Sequence, residues 1–290
     1  EESVGAQATL ESLQERYDEA LAWAGSTPAE PLTSWRRGVG VACSWRNTAV
    51  PREGVSHALA SAELLEDGRV GVISGVIEEG QGAATIMTQI AAQELGVPIE
   101  SVVLTLGDTL LAPYPYVTSG SRSATVAGGA VQDACRRLKE ALKIVASQVL
   151  EENPESIILQ DGYAFSSRFP QEKLSFRSLT PYFREKKMVL KYEGAFVGRR
   201  KDDSSDGKPD ETADTPNFLF MYTAQVSQVE VNVLTGQVKV PKIVISSDVG
   251  TAINPKSVEG QLEGGVAFGM GFALKERFDP NSTRTLKSYN

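Results

Sequence analysis

Histidine and cysteine are scarce in this chain of 290 residues, which limits the chemistry that its side chains can perform unaided. His57 is the single histidine, and no spacing around it supports a histidine-based zinc site or a Ser–His–Asp triad. Cys43 and Cys135 are the only cysteines, so a disulfide framework and the four thiolates of an iron–sulfur cluster are excluded. We expect both thiols to be reduced, inert core residues, and His57 to be structural or on the surface.

Long apolar runs and excess positive charge are also missing. No stretch approaches the ~18 uncharged apolar residues of a membrane span, so we expect a soluble, cytoplasmic protein. The net charge of -8 argues against nucleic acid or an anionic membrane as partner. No Gly-x-x-x-x-Gly-Lys-Ser/Thr motif is present, which excludes a P-loop. Since no side chain here can perform redox chemistry, difficult chemistry would have to come from a bound cofactor.

Strand-like and helix-like patterns alternate along the chain and predict an α+β fold, a mixed α/β arrangement of two-layer mixed sheets with packed helices. The length favours roughly two domains. We predict an N-terminal helix and linker at 1–34, a first α/β subdomain at 35–197, a flexible loop at 198–217, and a β-hairpin with a glycine-rich helix at 218–290. Because residue 1 is glutamate, we expect a processed, split or excised piece.

Gly80, Gln81 and Gly82 join a strand-like run at 70–77 to a helix-like run that ends near Leu95. Such a junction directs main-chain N–H groups and the positive end of a helix dipole at one point, which predicts a bound anion. The Gln81 amide could donate and accept further hydrogen bonds. A Gly-X-Gly turn also commonly just connects two secondary-structure elements without binding a ligand, and that alternative stays open.

A hydroxyl-rich loop precedes the longest helical pattern of the chain and predicts a second anion site. Its members are Thr118, Ser119, Gly120, Ser121, Arg122 and Ser123. The alternative is that Ser121 or Ser123 merely caps the helix.

Glycines crowd the pattern from 255 to 271, which we interpret as a buried helix. Each interior glycine costs about 1 kcal/mol relative to alanine, so something is expected to approach this backbone closely. Glu263 lies in the middle, and a buried carboxylate among small residues is a candidate proton acceptor. Alternatively, Glu263 could lie at a helix start and accept hydrogen bonds from the nearby main-chain N–H groups.

Four motifs, in this order, resemble the molybdenum hydroxylases of the xanthine dehydrogenase and aldehyde oxidase family. The similarity is to the second, C-terminal cofactor-binding half of the molybdopterin-binding large subunit, from about Trp35 to Asn290. The motifs are Glu78 to Gly82, Thr118 to Ser123 followed by Gly128-Gly129-Ala130-Val131, Val229-Glu230-Val231 with Thr235-Gly236, and Asp248-Val249-Gly250 followed by the segment from Gly260 to Gly265.

The resemblance implies a role for each motif. Gly80, Gln81 and Gly82 correspond to the glycine–glutamine–glycine segment that hydrogen-bonds the pterin, and the 118–123 loop to the segment that holds the pterin and its phosphate end. Glu263 falls on the family's general base, which takes a proton from a molybdenum-bound hydroxyl as its oxygen attacks a substrate carbon. No residue of this chain is predicted to ligate the metal.

The cofactor implied is molybdenum–molybdopterin, with its cytosine dinucleotide form left open. The implied partners are the family's first cofactor-binding half, which this sequence lacks, and iron–sulfur and FAD subunits or domains. The implied substrate is a small purine, aldehyde or N-heterocycle, with water as the oxygen source. Two alternatives remain: a non-catalytic cofactor-binding or assembly module derived from the family, and a generic phosphate-ligand domain that rests only on the glycine junctions.

Overall fold

The computed structural model describes residues 4–26, 34–48, 56–113, 118–198, 219–283 and 285. The chain divides into two compact units. We call Asn47–Phe218 the central unit, and Glu1–Arg46 together with Leu219–Asn290 the terminal unit. The predicted loop at 198–217 lies, apart from residue 198, outside the described residues.

The described residues form a mixture of helices and strands, which confirms the predicted fold class. In chain order they are α1 (Ala6–Glu11), α2 (Gln14–Gly25), β1 (Trp35–Thr48), β2 (Ser56–Leu64), β3 (Val70–Ser74), α3 (Ala83–Leu95), β4 (Val102–Leu106), α4 (Gly128–Leu150), β5 (Ile157–Gln160), β6 (Tyr163–Ser166), β7 (Phe169–Ser175), α5 (Phe176–Glu185), β8 (Lys191–Gly198), β9 (Leu219–Asn232), β10 (Val238–Asp248) and α6 (Pro255–Leu274).

The main sheet of the central unit has the strand order β4-β3-β2-β8. β2 runs antiparallel to β3 and β8, whereas β3 and β4 are parallel and are joined by the crossover helix α3. Apolar side chains of β2 and β3 meet the apolar stripes of α3 and α4 in one core. Its members include Ala60, Ala62, Val70, Val72, Met87, Leu95, Leu138 and Leu142. A small antiparallel sheet, β5-β6-β7, follows α4.

Gly194 allows β8 to lie directly against α4. A Cβ atom at this position would overlap the main-chain nitrogen of Ala134 and the carbonyl oxygen of Ala130. Any side chain at residue 194 would therefore force the strand and the helix apart.

The terminal unit is built on the sheet β1-β9-β10. The small helices α1 and α2 cover a core of Leu13, Ala20, Ala224 and Val226. Arg37 of β1 fastens α2 to this sheet, because its Nε atom lies 3.0 Å from Glu230 Oε1 and its Nη1 atom donates to the Trp23 carbonyl at 3.2 Å. Its guanidinium also stacks over the Trp23 ring, 4.7 Å from the centroid.

The terminal unit combines segments that the sequence analysis separated. Residues 35–46 were assigned to the first subdomain, yet β1 pairs in the sheet of β9 and β10 and belongs with the C-terminal segment. Pairing of strands far apart in sequence leaves no local pattern, which is why the boundary at residue 34 differs from the observed division.

The two thiols occupy different environments. Cys135 is buried, as predicted, and burial raises the pKa of its thiol to about 12. The prediction for Cys43 was wrong, because this side chain is exposed on β1. The segment from Gly38 to Trp45 is apolar, but most of its residues are exposed on β1.

Candidate functional site

The Gly80–Gly82 turn links β3 to α3 through left-handed backbone conformations. Gly80 has φ +96° and Gly82 has φ +87°, values that side chains other than glycine rarely adopt. No atom lies within 4 Å of the position that a Cβ of Gly80 would occupy. The turn is therefore open on that side, where a flat ligand could approach the main chain.

Gln81 is held by its own turn. Its Oε1 atom accepts from Glu79 N at 2.6 Å, and its Nε2 atom donates to the Ile77 carbonyl at 2.9 Å. A primary amide carries two N–H donors and two acceptor lone pairs, so these bonds use one of each. The orientation of the amide is thus set, and half of its hydrogen-bonding capacity remains for a ligand.

Glu78 places a carboxylate against the main chain of this turn. Its Oε1 atom accepts from Gly80 N at 2.8 Å and from Gly82 N at 3.0 Å, and its Oε2 atom accepts from Ala84 N at 2.8 Å. The hydrogen bond from Ala84 N, followed by that from Gly82 N, lowers the pKa of Glu78. The sequence pattern predicts a ligand anion for these N–H groups, whereas a carboxylate of the same chain accepts from three of them.

The hydroxyl-rich loop lies beside this turn. Thr118 Oγ1 accepts from Ile77 N at 3.1 Å, so the two motifs, separated by about forty residues of sequence, are joined by a hydrogen bond. Gly120 and Ser121 have φ values of +62° and +56°, which turn the chain sharply before α4. Ser119 is exposed, and Ser121 and Ser123 are partly exposed. The loop thus presents hydroxyl groups at its surface.

Arg122 is a buried member of the 118–123 loop. Its side chain is 3% exposed, and its Nη2 atom donates to the main-chain carbonyl of His57 on β2 at 2.7 Å. The loop is therefore anchored to the main sheet by a buried guanidinium. A single turn of π-helix at Ser123–Ala127 then leads into α4.

Gly128 and Gly129, which follow the loop, set its distance from neighbouring elements. A Cβ at Gly128 would lie 2.8 Å from Ile90 Cδ1 of α3, and one at Gly129 would overlap the Phe196 ring of β8. Gly128 therefore brings the start of α4 close to α3, whose N-terminus carries the Gly80–Gly82 turn, and Gly129 brings it close to β8.

Glu263 lies on α6 of the terminal unit. The helix starts at the Asn254 side chain, which accepts from Ser257 N at 3.0 Å, and Pro255 follows at the first position. Glu263 lines a cavity of about 310 Å³ with five neighbours: Ile243, Ile245, Glu259, Leu262 and Val266. Two carboxylates one helical turn apart thus border an apolar wall of β10.

The expectation that α6 is a buried helix was wrong. None of its described side chains is buried, and Glu263 is exposed. The positions at which Gly260, Gly264, Gly265 and Gly269 would carry a Cβ have no atom within 4 Å. Apolar and small residues predict burial, but within the terminal unit nothing packs closely enough on this helix to provide it.

A family model for the molybdopterin cofactor-binding domain matches residues 12–290. The chain belongs to the molybdopterin cofactor-binding domain family. This confirms the resemblance to molybdenum hydroxylases on which the site was first located.

Relatives of this molybdopterin cofactor-binding domain include subunits of oxidoreductases. The chain is 33% identical over 225 residues to the nicotine 6-hydroxylase large subunit of Paenarthrobacter nicotinovorans, covering 77% of the chain and 26% of the relative. It is 32% identical over 246 residues to the putative xanthine dehydrogenase molybdenum-binding subunit of Escherichia coli (strain K12), covering 83% and 30%. The chain thus spans less than a third of the length of these relatives.

Solved structures of the family share the fold. The aldehyde oxidoreductase of Desulfovibrio desulfuricans ATCC 27774 matches with a TM-score of 0.75 and 25% identity, over 99% of this chain and 28% of that one. Quinoline 2-oxidoreductase from Pseudomonas putida 86 matches with a TM-score of 0.71 and 25% identity, over 98% and 35%.

Two further observations bear on this molybdopterin-binding domain. Within the described ranges, no group of three or more histidine, cysteine, aspartate or glutamate side chains is placed to hold a metal ion. None of the helices in the same ranges has the length and apolar character needed to cross a membrane.

Sequence reasoning missed Glu78 as a member of the site. An acidic residue a few positions before a helix start is a recognisable signal, because carboxylates near helix N-termini are favoured by the dipole. Its reach over three N–H groups depends on the fold of the turn, which the sequence pattern did not reveal.

Proposed function

We propose that this chain forms one side of the molybdenum–molybdopterin site of a molybdenum hydroxylase and supplies its catalytic base. The observation that carries the proposal is the hydrogen bond from Ile77 N to Thr118 Oγ1. It brings the Gly80–Gly82 turn and the 118–123 loop, the two segments implied to contact the pterin, to adjacent places on the central unit.

The residues of the turn and loop suit different parts of this cofactor. The Gln81 amide, with one donor and one acceptor beyond its internal bonds, matches the neutral edge of a pterin heterocycle. The hydroxyl groups of Ser119, Ser121 and Ser123 match the phosphate end. We extend this proposal to the cytosine dinucleotide form, whose additional phosphate would need further donors of this kind.

The bound molybdenum cofactor supplies the two-electron redox chemistry that the side chains of this chain lack. Glu263 acts as the general base and accepts a proton from the water-derived oxygen nucleophile as it attacks a substrate carbon. Ile243 and Ile245 of β10 line the same cavity and form an apolar wall beside this carboxylate. The substrate is a small purine, aldehyde or N-heterocycle.

The remaining parts of the enzyme come from outside this chain. They are the first cofactor-binding half and the iron–sulfur and FAD subunits or domains that carry electrons away. The proposal is supported by the short span that the chain occupies in its relatives, between 26% and 30% of their length. A reducing cytoplasm suits the two unpaired cysteines.

The test replaces Glu263 in the complete enzyme. We expect Glu263→Gln to lower the turnover rate by about 10²–10⁴-fold, the usual contribution of a positioned general base, with molybdenum content unchanged. Glu259→Gln is the matched control, because it removes a carboxylate from the same cavity one helical turn away. Near wild-type turnover of a fully loaded Glu263→Gln enzyme would refute the role of Glu263.

A non-catalytic assembly module is the second candidate, and the exposed side chains of α6 favour it. Phe268 and Phe272 are each 73% exposed, which suits a docking surface whatever the chemistry. Co-purification of this chain with its partner subunits, without molybdenum in the complex, would select this candidate. A generic phosphate-binding domain is disfavoured, because the Glu78 carboxylate already accepts from the N–H groups on which it depended.

A further inference from the structure

Glu78 has no role in the proposed chemistry, although it makes the densest set of hydrogen bonds in the turn. Its two carboxylate oxygens accept from the main-chain nitrogens of Gly80, Gly82 and Ala84 at 2.8–3.0 Å. The side chain is exposed, so desolvation does not explain why the carboxylate folds back over its own chain. The hydrogen bonds themselves are the reason, since an ionised acceptor forms the stronger class of such bonds.

These three bonds restrain a turn whose two glycines would otherwise have wide conformational freedom. Gly80 and Gly82 both adopt left-handed conformations, and glycine loses more conformational freedom on ordering than any other residue. A carboxylate that bonds to residues 80, 82 and 84 fixes the backbone on both sides of Gln81. A single capping hydrogen bond would fix only one of these residues.

The orientation of Gln81 depends on that restraint. Its amide bonds to Ile77 O and Glu79 N, which lie on the same turn, so they can form only while the turn stays closed. Loss of the Glu78 carboxylate would release Gly80 and Gly82 first and the Gln81 amide with them. The ligand-facing half of the amide would then have no preferred direction.

The same carboxylate decides which ligand group fits the turn. The N-terminus of α3 would attract a phosphate through its N–H groups and dipole. With Glu78 in place, the donors of Gly80, Gly82 and Ala84 are engaged and a negative charge is already present. A second anion at this point would meet repulsion, whereas a neutral heterocycle would not.

We propose that Glu78 is a positioning residue that orients Gln81 toward the neutral heterocycle of the cofactor and excludes phosphate from the start of α3. This inference rests on the proposed function, because it assumes that the turn contacts a pterin. Glu78 acts through Gln81 and the turn, and need not touch the ligand itself.

The test compares Glu78→Ala and Glu78→Gln with Glu79→Gln in the complete enzyme, expressed with its partner subunits. The control removes the same charge from the adjacent exposed position and leaves the main-chain bond of Glu79 in place. Molybdenum and pterin are quantified per polypeptide after extended dialysis. We expect both Glu78 variants to retain about 10–100-fold less cofactor, the usual effect of losing an outer-shell partner, and Glu79→Gln to resemble wild type.

Two further measurements separate positioning from general loss of structure. Hydrogen exchange should accelerate at residues 80–84 in the Glu78 variants while α4 stays protected. Titration of cofactor-free enzyme with inorganic phosphate should reveal binding in Glu78→Ala that wild type lacks. Glu78→Gln is included because its exposed position and similar shape preserve folding even if Glu78→Ala does not fold.

The outcomes distinguish this inference from the proposed function. Full cofactor retention by both Glu78 variants, in an enzyme whose wild type is loaded, would overturn the inference alone. Unchanged exchange at residues 80–84 would overturn it as well. A wild-type complex without molybdenum would overturn the proposed function, and the role of Glu78 toward a cofactor with it.

Discussion

The hydrogen bonds accepted by Glu78 and Gln81 occupy main-chain donors of the Gly80–Gly82 turn. Its main-chain donors look available in the sequence, but Gly80, Gly82 and Ala84 donate to Glu78, and Glu79 donates to Gln81. What remains for a ligand is a neutral amide edge instead of a cluster of N–H groups. On the proposed role of Glu78, this carboxylate shifts the preference of the turn from phosphate to a neutral heterocycle.

The pKa of Glu78 leads to a prediction for stability against pH. The folded state lowers this pKa below its ordinary value of 4.5, so the folded protein binds fewer protons than the unfolded chain. The stabilisation by Glu78 is therefore complete above about pH 4.5 and is lost as the pH falls through the folded pKa. We expect the difference in urea midpoint between wild type and Glu78→Gln to shrink as the pH falls from 7 toward 3. A constant difference across this range would contradict the assignment.

The thiols lead to a second prediction at the same scale. In the native protein at pH 8, iodoacetamide should modify Cys43 and spare Cys135, because burial removes access to Cys135 and raises its pKa to about 12. Peptide mass spectrometry before and after denaturation measures this selectivity. Native modification of Cys135 at a rate similar to Cys43 would show that the core of the central unit opens readily.

The packing of helices and strands sets the position of the candidate site. Gly128 and Gly129 bring α4 close to α3 and β8, and Gly194 brings β8 onto α4. Arg122 anchors the 118–123 loop to β2. The hydroxyl groups of the loop can lie beside the Gly80–Gly82 turn because these elements approach one another so closely.

Gly194→Ala tests this packing. The added methyl group would meet backbone atoms of α4 that cannot rotate away, so we expect a destabilisation of about 1–3 kcal/mol or more. Hydrogen exchange of α4 in increasing urea measures the effect. Gly38→Ala is the control, since a Cβ there meets no atom within 4 Å, and should change stability by less than about 1 kcal/mol. Equal effects of the two substitutions would rule out the close approach.

At the scale of the whole molecule, aromatic side chains are exposed on and just after α6 of the terminal unit. Phe268 and Phe272 of α6 and the nearby Phe278 are each more than two-thirds exposed. Exposed apolar side chains in such number are typical of a protein–protein interface. The chain also covers less than a third of its relatives' lengths, which supports the proposal that other parts of a larger enzyme bind here.

The double substitution Phe268→Ser and Phe272→Ser tests this surface. We expect the chain's own stability to change by no more than about 0.5 kcal/mol per site, because these rings are exposed. Self-association and binding of a hydrophobic dye should fall, and co-purification with the rest of the enzyme should weaken. Phe183→Ala, at a fully buried ring of α5, is the contrasting control and should cost about 3–5 kcal/mol. Unaltered co-purification of the double variant would exclude α6 as the docking surface.

Local patterns in the sequence predict the helices and strands named below and reveal the family motifs. The succession of β3, the Gly80–Gly82 turn and α3, the long helix α4 and the β9–β10 hairpin depend on neighbours a few residues apart, so periodicity and turn chemistry predict them. The order of the four motifs likewise indicated the family, which the family match confirmed.

Only the tertiary structure determined how the strands pair, which side chains are exposed and which groups form hydrogen bonds. It grouped β1 with β9 and β10, left α6 and Cys43 exposed, joined Ile77 to Thr118 and placed the Glu78 carboxylate over three main-chain donors. Each depends on contacts between distant residues or on the path of a folded turn. Composition and periodicity describe what a residue prefers, whereas burial and hydrogen-bond partners are settled by whichever elements pack around it.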